Sequence, residues 1–242
     1  MAAAFMWGFL GGAALLVGGA IAYLWKMPDR VLGAIMAFGS GFLVSAVAFE
    51  LVEEAGATTD GDWAIAIGLA AGAFVFFAGD LMIDRAGGAD RKSANPRAGE
   101  QGGGAILLGT VLDGIPESIV IGVGLLKGQG VSVAMVAAVF LSNLPEAIGA
   151  TSGLKAGGWS ARRLFLMWGA VAVVAGISSM AGYGLLGGAP DEALAFVLAF
   201  AAGALLTMLV DTMVPEAFKL NGASAGLFTT LGFGIAYAIS AL

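Results

Sequence analysis

Eight times along this chain of 242 residues, largely apolar residues follow one another for long enough to cross a bilayer, a length of about 20 residues for a helix. The runs cover roughly 5–25, 32–53, 63–83, 104–126, 131–153, 163–187, 193–214 and 223–242. Hydrocarbon offers a backbone no water to bond with, so N–H and C=O groups there must be satisfied within the chain, and helices do this locally. The expected fold is therefore all-α and polytopic, with eight transmembrane helices in a single transmembrane domain over 1–242. The separators are short and polar. The longest, 85–103, is rich in Gly, Arg and small polar residues, and is expected to be a flexible cytoplasmic loop.

Composition agrees with a membrane chain. Charged residues make up 12% and apolar residues 59%, against roughly 25% charged in soluble domains. The mean hydropathy is +0.94. Forty glycines without a collagen-like period fall inside the apolar runs, where small residues let helices approach closely. Cys and His are both absent. That excludes disulfides, thiolate and imidazole metal sites, and Ser-His or Cys-His catalysis. Nothing suggests nucleic-acid binding, an enzyme or an organic cofactor. The first run lacks a basic segment before it and a clear cleavage site, so it reads as a retained span.

Basic residues set the expected orientation. With the N-terminus outside, Lys26, Arg30, Arg85, Arg91, Lys92, Arg97, Lys155, Arg162, Arg163 and Lys219 all fall in cytoplasmic loops, and only Lys127 falls outside. Both termini then face out, in a multi-pass protein of the inner or plasma membrane. The outer loops hold Glu53, Glu54, Asp60, Asp62, Asp191 and Glu192, an acidic surface that would concentrate cations.

Two internal repeats run through the chain. Residues 112–125 and 141–154 share Leu-x-x-x-Pro-Glu-x-Ile-x-x-x-x-Gly-Leu, and residues 37–55 match 199–217 at seven positions. In the expected topology each pair is antiparallel. Inverted repeats with Pro-interrupted helices around a midplane site are a transporter signature. The arrangement expected is 3+2+3, with spans 4 and 5 between two related halves.

Spans 4 and 5 also carry acids where lipid would surround an isolated helix. Asp113 and Glu117 are four residues apart, and so share a helix face. On span 5, Ser142, Asn143 and Glu146 sit at comparable spacing. A charge at the bilayer centre costs several kcal/mol unless it faces a bundle interior, a cavity or an ion. Carboxylate, amide carbonyl and hydroxyl oxygens together suit a divalent cation. The competing reading is a structural hydrogen-bond network between helices. Glu50 on span 2 and Asp211 on span 7 are candidate gate or relay residues, or boundary charges that reach water.

These residues resemble those of the ZIP family (Zrt-, Irt-like proteins) of divalent metal transporters. The family's span 4 motif, of the type His-Asn-x-Pro-Glu-Gly, corresponds to Asp113-Gly114-Ile115-Pro116-Glu117-Ser118, and its span 5 motif to Ser142-Asn143-Leu144-Pro145-Glu146. Val214-Pro215-Glu216-Ala217 is similar to the family's span 7 ending. Asp113 stands in place of the family's His, Gly114 of its Asn, and Ser142 of its His or Gln. The resemblance implies a divergent, bacterial-type member with a reduced site of one or two ions, with Asp113, Glu117, Asn143, Glu146 and Ser142 as ligands. It implies movement of a zinc-like ion into the cytoplasm, with manganese or ferrous iron competing. The expected partners are the metal ion and the lipid bilayer, with a homodimer left open. The rival expectation is a non-transporting relative acting as metal sensor or interaction partner.

Overall fold

Apolar runs of this length can close their backbone hydrogen bonds without water only as helices, and they do so in the computed structural model of the protein. It describes residues 1–59, 61–88, 103–127 and 130–240, and among these there is no strand. From residue 89 to 102, the expected cytoplasmic loop lies outside the described residues, with Arg91, Lys92 and Arg97. Asp60 lies outside them too.

The helices are α1 (Ala2–Leu24), α2 (Asp29–Ala46), α3 (Glu53–Thr58), α4 (Asp62–Ile83), α5 (Gly103–Gly124), α6 (Val133–Ala156), α7 (Ala161–Leu186), α8 (Asp191–Met208), α9 (Val214–Asn221) and α10 (Ala225–Ser240). A π-helical stretch, Val47–Val52, joins α2 to α3 without a break, and another, Leu209–Met213, joins α8 to α9. A third, Asp84–Gly88, extends α4 into the start of the expected loop. Among the described residues, seven continuous helical stretches are long and apolar enough to span a membrane, and the last of them runs over Asp191–Ser240.

The first two π stretches fall at matching places in a repeat. Residues 37–55 align with 199–217, so Val47 corresponds to Leu209, the first residue of each widened turn. The likeness read in side chains thus extends to a shared departure from α-helical backbone.

Packing partners fix the relative directions of the helices. Tyr23 meets Phe165 while Phe5 meets Gly176, so α1 and α7 are antiparallel. The Lys155 ammonium donates to the Tyr23 carbonyl near the C-terminal end of α1, whereas Gly11 faces Val139, so α6 is parallel to α1. Asn221 donates to the Arg30 carbonyl and Ser240 donates to Glu50, so α10 runs alongside α2 in the same sense. Helix α4 packs on α8, and α5 packs on α7. Two groups result. Helices α1, α5, α6 and α7 hold one another, α2, α4, α8 and α10 pack as two pairs, and α2 lies against α6 between the groups.

The contact of α2 with α6 rests on a broken helix. Pro145 has no N–H, so the carbonyl of Leu141 loses its α-helical donor. Gly39 of α2 packs directly on that carbonyl, and a Cβ there would lie 2.7 Å from the oxygen. At the other end of the second group, Gly222 takes φ 72° and closes α9, donating its N–H to the Phe218 carbonyl. That left-handed conformation suits glycine.

Gly39→Leu is expected to lower stability in detergent by about 1–3 kcal/mol through overpacking. Gly56→Ala, where a Cβ meets nothing within 4 Å, is expected to keep or raise stability, by up to about 1 kcal/mol. Thermal unfolding of the two variants beside the wild-type protein checks the pair.

Candidate metal centre

Two prolines stand beside the acids. Pro116 lies inside α5 and Pro145 inside α6, and each is followed directly by a glutamate. Asp113 and Glu117 lie about halfway along the 22 residues of α5, and Glu146 just past the middle of the 24 residues of α6. All three are buried, at 1%, 1% and 3% exposure.

Hydrogen bonds join the two helices at this level. Ser142 Oγ donates to Glu117 Oε1 over 3.1 Å, and Asn143 Nδ2 donates to Glu117 Oε2 over 3.3 Å. Both oxygens of the α5 glutamate are thus addressed by α6. The reverse also occurs. Thr110 Oγ1 of α5 is 3.4 Å from Glu146 Oε1 of α6, within donating range. Each glutamate therefore accepts from a hydroxyl on the opposite helix.

Sequence reasoning singled out Glu117, Glu146, Ser142 and Asn143, and the structure brings them together. Asp113 shares their face of α5 and is as deeply buried as Glu117. Thr110 was missed. It is 2% exposed and precedes Glu117 by seven residues, two helical turns along one face. That spacing was the available signal. Among the described residues no group of three or more Asp and Glu side chains is arranged to hold one ion. Two neutral donors of α6 reach the two oxygens of Glu117.

Glu50 and Asp211 lie elsewhere. Glu50 belongs to the π stretch Val47–Val52, is half-buried, and accepts from Ser240 Oγ over 2.6 Å. With Glu54 it borders a cavity of about 240 Å3 where α5 ends and α6 and α8 begin. Val120, Ile121 and Met135 line the same cavity, and Val120 is one turn beyond Glu117. Asp211, in the π stretch Leu209–Met213, is exposed.

The donor set is chemically coherent. Carboxylate, hydroxyl and amide oxygens are hard ligands, suited to Mg2+, Mn2+ or Ca2+ and usable by Zn2+. Searches against protein-family models and against curated proteins find no match to this sequence.

Asn143→Asp would turn the amide donor at 3.3 Å into an acceptor facing a buried carboxylate. In the absence of metal the variant is expected to lose about 1–3 kcal/mol of stability. A lower unfolding midpoint in chelator-treated protein is the readout.

Proposed function

We propose that this chain is a divalent metal ion transporter of the ZIP type it resembles, carrying a zinc-like ion into the cytoplasm through a site at mid-membrane. One observation carries the reading. Two glutamates, each beside a helix-interrupting proline, are buried halfway along apolar helices and tied to oxygen-bearing side chains of the opposite helix. An intramembrane acid of this kind is costly unless it serves a pathway or a partner.

The ligands proposed are Glu117 and Glu146 at the centre, with Asp113, Asn143 and Ser142 around them. The cavity bordered by Glu50 and Glu54 is then the outer mouth, where its two acids attract cations. Glu50 is placed in this scheme at the entrance, and Asp211 towards the cytoplasmic exit. The motion proposed is a displacement of α1, α5, α6 and α7 against the other helices, which exposes the site to each side in turn. The packing of the helices into these two groups supports it.

Eight crossings belong to the same proposal. The last helical stretch has 50 residues, and at 1.5 Å per residue it would be about 75 Å long if straight, against a hydrocarbon core of about 30 Å. Gly222 offers the turning point between two crossings. The antiparallel and parallel pairings also fit eight alternating spans, with spans 1–3 and 6–8 as inverted halves. Both termini are then outside.

Topology is tested by single cysteines, which the natural chain lacks. Ala2→Cys is expected to react with an impermeant reagent added to intact cells, and Ala156→Cys only after lysis. The opposite pattern reverses the model.

Function is tested by uptake of radiolabelled zinc and manganese into proteoliposomes. Wild-type protein is expected to accumulate metal, and Glu117→Gln or Glu146→Gln to abolish it at unchanged folding. Metal binding without uptake would favour the non-transporting sensor. Binding unchanged in both variants would make the glutamates structural.

A further inference from the structure

Both cross-helix hydroxyls have a second acceptor at similar range. Ser142 Oγ is 3.1 Å from Glu117 Oε1 and 3.0 Å from the Val139 carbonyl oxygen. Thr110 Oγ1 is 3.4 Å from Glu146 Oε1 and 3.0 Å from the Ile106 carbonyl oxygen. A hydroxyl carries one proton and two lone pairs. It donates along its own helix or across to the glutamate, but not fully to both.

The two orientations suit two different states of the site. With the proton aimed across, the hydroxyl stabilises a carboxylate that has no cation. With the proton aimed at the carbonyl one turn back, a lone pair of the hydroxyl faces the carboxylate oxygen. Two acceptor oxygens then stand 3.1–3.4 Å apart, an arrangement that repels unless a cation or a carboxyl proton lies between them. Neighbouring ligand oxygens are separated by about 2.9 Å around octahedral Mg2+ and by about 3.4 Å around a six-coordinate Ca2+. The observed separations already lie in that range. Within each pair the hydroxyl reaches this orientation by rotating its proton about the C–O bond. Thr110 and Ser142 are each 2% exposed, so bulk water does not compete for either orientation.

We propose that Thr110 is a direct cation ligand, a neutral oxygen that pairs with Glu146 as Ser142 pairs with Glu117. Each hydroxyl proton rests on the glutamate when the ion is absent and on the backbone carbonyl when it is bound. This rests on reading the buried pair as a metal site, and it adds the class of ion. A shell completed by neutral hydroxyls favours a hard divalent cation such as Mn2+ over a soft one such as Cd2+.

The plain alternative is that Thr110 only back-bonds within its helix, as Ser and Thr commonly do in membranes. Calorimetric titration of the purified full chain with Mn2+ and, separately, with Cd2+ distinguishes the two. Thr110→Val keeps the side-chain shape and removes the oxygen. It is expected to weaken Mn2+ binding about tenfold or more while changing Cd2+ binding less than Mn2+ binding. Thr110→Ser is expected to restore Mn2+ affinity. If the valine variant does not fold, Thr110→Ala carries the same comparison.

Equal losses for both ions, or no loss for either, overturn the ligand role of Thr110. If Glu117→Gln still abolishes binding in that event, the reading of the centre as a metal site stands without this inference. Wild-type protein that binds neither ion defeats both.

Discussion

A backbone in hydrocarbon has no solvent to fall back on, and this protein breaks its own hydrogen-bond ladder where its acids lie. Pro116 and Pro145 each deprive a carbonyl one turn back, those of Leu112 and Leu141, of its usual donor. An unsatisfied polar group at that depth costs several kcal/mol. The fold answers at Leu141 with the bare Cα of Gly39. With no side chain on Gly39, the two helices approach closely there. Leu32, Met36 and Ala37 of α2 pack with Leu144 and Ile148 of α6 beside this contact.

The helices were legible because long apolar runs leave the backbone few choices. The run expected at 163–187 is observed as Ala161–Leu186, and the one at 131–153 as Val133–Ala156. The π stretches were not legible. A widened turn differs from an α turn by its hydrogen-bond step, and that step leaves no mark in composition. The run expected to end at 214 continues as α9 to Asn221. Pro215 follows the π stretch directly and supplies no N–H to the turn before it.

In the centre, the sequence pointed to the carboxylates through their spacing and their prolines. It did not show which neutral groups they meet. Glu117 to Ser142 spans 25 positions and Thr110 to Glu146 spans 36, and only the docking of α5 on α6 reveals these pairs. Buried charge needs such partners because the low dielectric that strengthens a good hydrogen bond also magnifies the cost of a missing one. Aromatic and basic side chains anchor one end of the bundle. Arg163 stacks on the Trp159 ring and Lys155 lies over the Tyr23 ring, each keeping an apolar surface on one side and a charge on the other.

A π turn accommodates one residue more than the α turn it replaces, without changing which side of the helix the following residues occupy. In an ordinary α-helix, loss of a single residue swings everything downstream by about 100° around the axis. Within Val47–Val52 or Leu209–Met213 the same loss would let the ladder close as regular α-helix. Glu53 and Glu54 would then keep their bearing on the first helix, and Glu216 on the second. In these two segments length and side-chain direction are thus uncoupled. Descendants of this sequence can shorten there by one residue and still present the same faces.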